Sequence, residues 1–320
     1  MTEVSLIICT RNRCTALEHA LAAAAQAAAR IAPVVEIDIV VVDNGSTDDT
    51  ARVIDRMVSR HPRLMVGVNE ARPGLSAARN AGLEHATGRI LAFTDDDCEL
   101  NPDYFVQLLE QFRDDEGPVV RGGRVELGDP RDLPITIKLS DAVEEFSADL
   151  MPGGFIHGCN MAASRTVFDR VGRFDERLGA GTRFFSGEDT DLLLRARTAG
   201  IPVIYVPDMT VRHFHGRRAH GELAKLTRQY EFGNGALLAK HGRAHPILVK
   251  AFYWNFKDAL LELVGKRTTI VGETGVGRLG IFWQNLTGAL RFAVAGGSLT
   301  SRSSAEARTP SGVLRQEVGT

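Results

Sequence analysis

An apolar run at residues 90–93 is followed at once by the segment Thr94-Asp95-Asp96-Asp97. A short buried strand that ends in three carboxylates must expose its end, because an unpaired buried carboxylate is prohibitively costly. In an open α/β sheet, ligands bind at the carboxyl ends of the strands. The run therefore predicts a strand whose end faces a polar ligand or a divalent cation. A solvated acidic turn is the alternative.

Strand and helix patterns alternate before and after this run. The predicted strands are residues 4–9, 37–42, 64–68 and 90–93, and the predicted helices are residues 15–30, 47–59 and 75–85, with a further helix opening at Asn101-Pro102. The first of these helices is expected to start at a capping box, Thr15 to Glu18. Alternation at this spacing predicts right-handed βαβ units, a parallel sheet and an α/β fold.

Beyond residue 113 the pattern is less regular. The predicted elements there are a strand pair or edge strand at 119–127, loops over a cleft at 128–158, strands at 159–164 and 203–206, a helix at 188–198 that ends at Gly200, and helices from residue 220. From about residue 300 the chain is rich in Ser and Arg, which predicts a disordered tail.

Length and charge limit the possible functions. A chain of 320 residues fits one large α/β domain with an appendage, and a net charge of −2 argues against a nucleic-acid partner. The four cysteines form no CxxC pair and are interpreted as buried thiols rather than a disulfide or zinc site: Cys9, Cys14, Cys98 and Cys159. We find no signal peptide and no apolar stretch of about 18 to 20 residues, so a cytoplasmic location is expected.

Polar segments accompany the aspartate run in a fixed order along the chain. They are Thr10-Arg11-Asn12-Arg13 and Asp43-Asn44-Gly45-Ser46 after the first two strands, Arg79 within residues 72–82, and later Glu188-Asp189-Thr190-Asp191 and His213. In this order the chain resembles the family-2 glycosyltransferases with the GT-A fold over about residues 4–215. It departs from many relatives at Cys9 and Arg11, where they have Pro and Tyr.

The resemblance implies a GT-A (Rossmann-like), mostly parallel sheet flanked by helices, with a C-terminal helical appendage. It divides the chain into a catalytic domain at residues 1–215, with a nucleotide-sugar half to about 125 and an acceptor half at 126–215, a helical region at 216–300 and a tail at 301–320. The implied activity is inverting transfer of a sugar from a nucleotide-diphosphate sugar, with UDP favoured, to an acceptor hydroxyl. Cell-surface polysaccharide or glycolipid synthesis is the implied process.

The resemblance also assigns roles to single residues. The implied nucleotide-sugar contacts are Thr10, Arg11, Asp43, Arg79, Asp95 and Asp96. Asp97 and His213 are implied ligands of Mg²⁺ or Mn²⁺, Asp189 is the implied base, and Glu188 and Asp191 lie on the acceptor side.

Structural explanations remain open for most of these residues. Asp43 also suits a turn, and Asp191 also suits the start of a helix. Arg79 suits an exposed surface, and the acids from Glu188 onward suit the N-terminus of a helix dipole. A structural role is the alternative for His213, and His215 is a competing ligand.

Two other functions fit part of the pattern. A nucleotidyltransferase would place a glycine-rich loop after the first strand, where Thr10 to Arg13 contain no glycine. A non-catalytic nucleotide-sugar-binding subunit of a polysaccharide assembly complex would not need every acid.

The C-terminal segments combine aromatic and basic residues. Phe252, Tyr253, Trp254 and Phe256 lie among Lys250, Lys257, Lys266 and Arg267, and a second apolar segment runs from Leu279 to Val294. This composition predicts helices that rest on the inner face of a membrane, which would suit a lipid-linked acceptor. Packing on the sheet or a dimer contact is the alternative.

Overall fold

The computed structural model of the protein describes residues 2–31, 34–266 and 274–297. The strands are β1 Val4–Thr10, β2 Ile37–Asp43, β3 Met65–Asn69, β4 Ile90–Asp95, β5 Cys98–Leu100, β6 Val120–Leu127, β7 Glu144–Glu145, β8 Asn160–Ser164 and β9 Val203–His213. The helices are α1 Cys14–Ala29, α2 Thr50–Arg60, α3 Leu75–His85, α4 Tyr104–Gln111, α5 Arg165–Val171, α6 Glu188–Thr198, α7 His220–His241, α8 Pro246–Leu263 and α9 Arg278–Gly297. The strand order is β3-β2-β1-β4-β8-β6-β9-β5, with β7 beside β9.

Strands β1 to β4 form the parallel half of the sheet. β1 pairs with β2 and β4, and β2 pairs with β3, all in parallel. Successive side chains of a strand point to opposite faces, so Ile7 joins one buried apolar cluster and Leu6 joins the other. Thr10 lies opposite Asp43, and Cys9 lies opposite Asp95. The predicted α/β class is confirmed, and the polar segments share the carboxyl edge of this sheet.

The second half of the sheet mixes strand directions. β8 runs antiparallel to both β4 and β6, whereas β6 runs parallel to β9. The expected strand pair or edge strand at 119–127 is therefore wrong, because β6 is one strand between two others. β9 continues to His213 instead of ending at 206. The pairing with β6 jumps from Val206 to Thr210, and this irregularity accommodates Pro207, which has no N–H for a ladder.

Three helix starts differ from the sequence prediction, and one of them is α4, which begins at Tyr104 rather than at Asn101-Pro102. α1 begins at Cys14 rather than at a Thr15 capping box, and α2 begins at Thr50 rather than near Thr47. The backbone N–H of Thr47 donates to the side chain of Asn12 at 2.7 Å, which keeps Thr47 in the loop. The first two polar loops are thus joined to each other, and this fixes the carboxyl edge of the sheet.

The C-terminal helices pack closely on one another. A Cβ at Gly235 of α7 would lie 2.1 Å from the carbonyl oxygen of Asn285, and one at Gly288 of α9 would lie 2.0 Å from that of Phe232. None of the helices within the described ranges has the length and apolar character needed to cross a bilayer. Arg267 and the predicted tail at 301–320 lie outside the described residues.

Candidate active site

The three consecutive aspartates lie at the end of β4, and each is bound to a cationic side chain. Asp95, one-third exposed, pairs with Arg79 at 3.3 Å. Asp96 is buried, accepts a hydrogen bond from the Thr10 hydroxyl at 2.7 Å and pairs with Arg13 at 3.3 Å. Asp97 is also buried and also pairs with Arg13. The aspartates are therefore not a solvated acidic turn.

His213, the last residue of β9, completes this cluster. Its Nε2 lies 3.3 Å from Oδ1 of Asp97. Burial alone would lower the pKa of His213, but the hydrogen bond to Asp97 and the nearby carboxylates raise it to about 9. Burial opposes ionisation of Asp97 as well, yet His213 and Arg13 hold its pKa well below the usual range. Burial raises the pKa of Asp96 to about 6 against the charge of Arg13.

Arg79 connects the aspartates to the start of α6. It lies on α3 with 2% of its surface exposed, so the alternative of an exposed surface arginine is wrong. Its guanidinium pairs with Glu188 at 2.9 Å and with Asp95 at 3.3 Å, and it donates to the carbonyl oxygen of Gly158 at 3.1 Å. One buried cation therefore joins two acidic groups that are far apart in the sequence.

The start of α6 presents two acids in different surroundings. Burial and the charge of Asp189 raise the pKa of Glu188 to about 7, although Arg79 opposes this. Asp189 is half-buried and accepts hydrogen bonds from the backbone N–H groups of Gly158 at 3.1 Å and Thr190 at 2.6 Å. Among the residues that the structure describes, no salt bridge involves Asp189. Of the two carboxylates, that of Glu188 has Arg79 as a cationic partner, whereas that of Asp189 is held by hydrogen bonds.

The turn before α6 has an unusual backbone. Phe185 has φ of 64°, a region that a bulky side chain rarely adopts. Its side chain is 42% exposed and contacts Phe232. Such outliers persist where the surroundings hold them, and they occur at active sites. The strained turn places an exposed aromatic ring four residues before Asp189.

Asp191 is not on the acceptor side. It has no exposed surface, and two cationic side chains and a histidine surround it: Arg195, Lys240 and His241, at 2.9, 2.6 and 2.7 Å. Both oxygens are occupied inside the protein, so the prediction of acceptor contact is corrected. The sequence left open an acceptor contact or a structural role at the start of a helix, and the structural role fits. Asp191 holds α7 against α6.

The remaining predicted residues lie on the carboxyl edge with varied exposure. Thr10 is buried and points to Asp96, whereas Arg11 is exposed in the bend after β1. Asp43 is half-buried and accepts the backbone N–H of Ser46 at 2.9 Å through one oxygen. His215 is bound to the backbone of Leu133 and Arg217, a structural role. Thr10, Asp43 and the three aspartates therefore share one edge of the sheet.

Three site residues were missed by the sequence prediction. Arg13 belongs to the polar segment after β1, and the need of Asp96 and Asp97 for a cation was the available signal. His157 lies where the charges of both Asp189 and His213 act on it, and burial lowers its pKa. The charges of Asp189 and Glu188 also act on Tyr230 of α7, whose pKa burial raises. His157 and Tyr230 belong to no motif, so only the fold reveals them.

The donor atoms at this edge suit a divalent cation. Asp95 and Asp97 offer carboxylate oxygens, and His213 offers an imidazole nitrogen beside Asp97. Oxygen ligands suit Mg²⁺ and Mn²⁺, and the two-carboxylate, one-imidazole set is compatible with Mn²⁺. The residues present fit the metal that the resemblance implies.

Comparisons with known proteins identify the family and the fold of the chain. The family model described as Glycosyl transferase family 2 matches residues 5–172. Glycosyltransferase AglE of Haloferax volcanii is 26% identical over 235 residues, which are 73% of this chain and 73% of that protein.

Two solved structures share the fold. The mannosyltransferase PcManGT from Pyrobaculum calidifontis, in complex with GDP-Man and Mn²⁺, has a TM-score of 0.56 at 20% identity and covers 94% of this chain and 88% of its own. S. aureus TarS 1-349 in complex with UDP has a TM-score of 0.53 at 15% identity and covers 93% and 92%. At these identities the likeness shows the fold, and it confirms the GT-A architecture.

Proposed function

The chain belongs to glycosyl transferase family 2, and we propose that it transfers a sugar, with inversion, from a nucleoside-diphosphate sugar to an acceptor hydroxyl with the help of a divalent cation. The observation that carries this proposal is the bridge from Asp189 to the aspartates of β4. Glu188, next to Asp189, pairs with Arg79, which pairs with Asp95. A candidate base and a candidate cation site are thus joined across one cleft.

The nucleotide is assigned to the parallel half of the sheet, residues 1 to about 125. Asp43 keeps one carboxylate oxygen for a base N–H, since the backbone of Ser46 occupies the other. The exposed Arg11 lies in the loop next to it. The second oxygen of Asp43 can accept a hydrogen bond from the ring N–H of uracil. A UDP-sugar remains the favoured donor, with a GDP-sugar as the alternative. Residues 126–215 are assigned to the acceptor half, and α7, α8 and α9 are assigned to a separate helical region.

Asp95, Asp97 and His213 are the residues that would hold Mg²⁺ or Mn²⁺. Bound there, a cation would supply a Lewis acid that neutralises charge on the departing diphosphate. Arg13 adds a fixed positive charge beside Asp97 and its neighbour Asp96. The chain thus supplies both the ligands and a second cation for a negatively charged leaving group.

Asp189 is the proposed general base. The acceptor oxygen forms a bond to the anomeric carbon while the bond from that carbon to the diphosphate oxygen breaks. The acceptor proton goes to Asp189, and the electron pair of the broken bond leaves with the diphosphate. One displacement inverts the linkage, and a positioned base contributes about 10²- to 10⁴-fold in rate.

A panel of nucleotide-sugars tests the proposal. The protein is incubated with UDP- and GDP-sugars with Mn²⁺ or with a chelator, and released nucleoside diphosphate is measured. We expect slow hydrolysis of one donor that stops in the chelator. Release of pyrophosphate from a nucleoside triphosphate and sugar phosphate would instead identify a nucleotidyltransferase. Binding without turnover, in the presence of candidate acceptors, would identify a binding subunit.

We also propose that α8 and α9 rest on an anionic membrane surface, as a lipid-linked acceptor would require. Exposed apolar side chains lie on both helices: Tyr253, Trp254, Phe256, Leu260, Leu263, Leu279, Trp283, Leu290 and Val294. Lys257 lies 4.6 Å from the ring centre of Trp254. Aromatic rings beside basic groups suit an interface that is apolar on one side and anionic on the other.

Vesicle flotation tests the membrane contact. Full-length protein is mixed with vesicles of equal parts phosphatidylcholine and phosphatidylserine at low salt. The variant Trp254→Ser/Trp283→Ser should lose flotation, whereas Leu139→Ser/Val143→Ser, which alters exposed apolar residues elsewhere, should retain it. Truncation is unsuitable, because Lys240 and His241 hold α7 on α6. Absence of wild-type flotation would refute the contact.

A further inference from the structure

Three buried side chains with soft or nitrogen donors meet beneath the aspartates of β4. Cys98 opens β5 and lies directly opposite His213 of β9 in the antiparallel pair. Cys159 precedes β8 and is fixed by its carbonyl oxygen, which accepts the Thr94 hydroxyl at 2.9 Å. One donor atom from each of Cys98, Cys159 and His213 lies within 4.8 Å of the other two. Both cysteines are free thiols.

Asp97 supplies a fourth donor at the same place. Its Oδ1 lies 3.9 Å from Sγ of Cys98 and 3.3 Å from Nε2 of His213. Two thiolates, an imidazole and a carboxylate are the ligand types of tetrahedral zinc. Zn–S bonds of about 2.3 Å place two sulfur atoms about 3.8 Å apart. Against the observed limit of 4.8 Å, the two sulfur atoms need to close by about 1 Å or less.

We propose that Cys98, Cys159 and His213, with Asp97 as the fourth ligand, form a binding site for a thiophilic divalent cation of the zinc type. Soft thiolates select such ions, whereas Mg²⁺ prefers oxygen ligands. Binding releases the two thiol protons and the extra proton of the His213 imidazolium to solvent, and it leaves a metal with two sulfur ligands and one nitrogen ligand. The spacing of the cysteines in the sequence gives no sign of this site, because strand pairing creates it.

Buried cysteines alone would not justify a metal site, since a thiol packs well as a small apolar side chain. Cys9 shows that case, because it is buried in the apolar cluster on the other side of the sheet from Cys98 and Cys159. The difference at Cys98 and Cys159 is the imidazole of His213, whose nitrogen lies within 4.8 Å of both sulfur atoms. Cys9 and the half-buried Cys14 are therefore matched controls.

The site shares Asp97 and His213 with the proposed Mg²⁺ or Mn²⁺ site. A cation held by the thiolates takes these two ligands away from the cleft, so it inhibits sugar transfer. This consequence rests on the proposed function, whereas the site itself does not. Hard and soft cations are thus expected to compete for one aspartate and one histidine.

Cobalt titration of the full-length protein tests the site without any activity assay. Co²⁺ bound by thiolates gives an intense near-ultraviolet charge-transfer absorption. We expect this band to saturate at one Co²⁺ per chain and to disappear on addition of Zn²⁺. Cys98→Ala and Cys159→Ala should abolish it, and Cys9→Ala and Cys14→Ala should keep it. No thiolate band in the wild type, or a band that survives both Cys98→Ala and Cys159→Ala, overturns the proposal.

X-ray absorption at the zinc edge of the loaded wild-type protein removes any dependence on variant folding. Two sulfur ligands are expected, and a shell of only nitrogen and oxygen overturns the proposal. Inhibition by Zn²⁺ separates the soft-metal site from the proposed role of Asp97 and His213 in holding the catalytic cation. Cys159→Ala should retain Mn²⁺-dependent donor hydrolysis and lose inhibition by Zn²⁺. If two sulfurs are found and Zn²⁺ leaves wild-type hydrolysis unchanged, the soft-metal site stands and the assignment of Asp97 and His213 to the catalytic cation is wrong.

Discussion

Asp97 and Asp189 belong to two acidic regions of one site and differ in their partners. Asp97 lies between Arg13 and His213, two side chains that carry or can carry positive charge. Asp189 accepts hydrogen bonds from the backbone N–H groups of Gly158 and Thr190. A carboxylate held ionised by cations suits a metal, whereas one without a fixed cation can accept a proton. The comparison indicates that the partners of these carboxylates, rather than their residue type, divide the roles.

The largest expected effect comes from breaking the link between the two regions. Arg79→Gln leaves Glu188 and Asp95 without their buried cation, and loss of a buried partner costs about 3–5 kcal/mol. Arg72→Gln is the matched control, because Arg72 also pairs with two carboxylates but is 59% exposed. Exposed pairs contribute about 0–1 kcal/mol. Denaturant unfolding measures both, and equal losses would show that Arg79 is not a structural bridge.

The pH dependence of stability tests the surroundings of Glu188 and Asp189 at the start of α6. Burial, with the charge of Asp189, raises the pKa of Glu188 from 4.5 to about 7. Between these pH values the folded protein binds more protons than the unfolded chain. The protonated Glu188 therefore contributes fully to the free energy of unfolding below pH 4.5, and this contribution is lost as the pH rises through 7. The loss amounts to about 3 kcal/mol at most.

Glu188→Gln should flatten this slope in unfolding experiments run across the same pH range. Glu176→Gln is the control, because it removes a carboxylate that pairs with the exposed Arg72, and it should keep the wild-type slope. A Glu188→Gln slope identical to that of the wild type would show that Glu188 does not change protonation on folding in this range.

Nucleotide binding tests the proposed role of the aspartates at the end of β4. Asp97→Ala should lower Mn²⁺-dependent affinity for a nucleoside diphosphate by at least about 100-fold, because loss of even an outer-shell contact costs 10- to 100-fold. Asp96→Ala should be milder, since Asp96 is occupied by Thr10 and Arg13. Calorimetric titration with and without Mn²⁺ measures both. A wild-type affinity that is equal in the two conditions would remove the metal from the mechanism.

The smallest expected effect concerns backbone strain beside Asp189. Phe185 has φ of 64°, which glycine adopts without penalty and alanine does not. Phe185→Gly should therefore be about 1 kcal/mol more stable than Phe185→Ala, the reverse of the usual order. On the donor side the comparable residue is Asn12 with φ of 55°, and asparagine tolerates this region. A more stable alanine variant would mean that the turn relaxes.

The parallel half of the fold followed from local pattern. Apolar runs such as residues 37–42 and 90–93 end in polar segments, and parallel pairing brings those ends to one edge. The placement of Asp43 and Asp95 on that edge could therefore be predicted. β9 could not be bounded in the same way, because Pro207 interrupts the pattern while the strand resumes at Thr210.

Partners distant in the sequence explain what the prediction missed. Arg79 is buried because Glu188, more than one hundred residues later, pairs with it. Asp191 is buried because Lys240 and His241 come from α7, a helix without a motif. A single sequence shows which residues carry charge, but it does not show which charges meet.

Sugar transfer by Asp189→Asn tests the central claim most directly. The transfer rate at saturating donor is measured together with calorimetric affinity for the nucleoside diphosphate in Mn²⁺. The proposed division of roles predicts a rate at least about 10²-fold below the wild type and an affinity close to the wild-type value. A near wild-type transfer rate would contradict it, and Asp189 would then be only a helix cap, with Glu188 as the next candidate base.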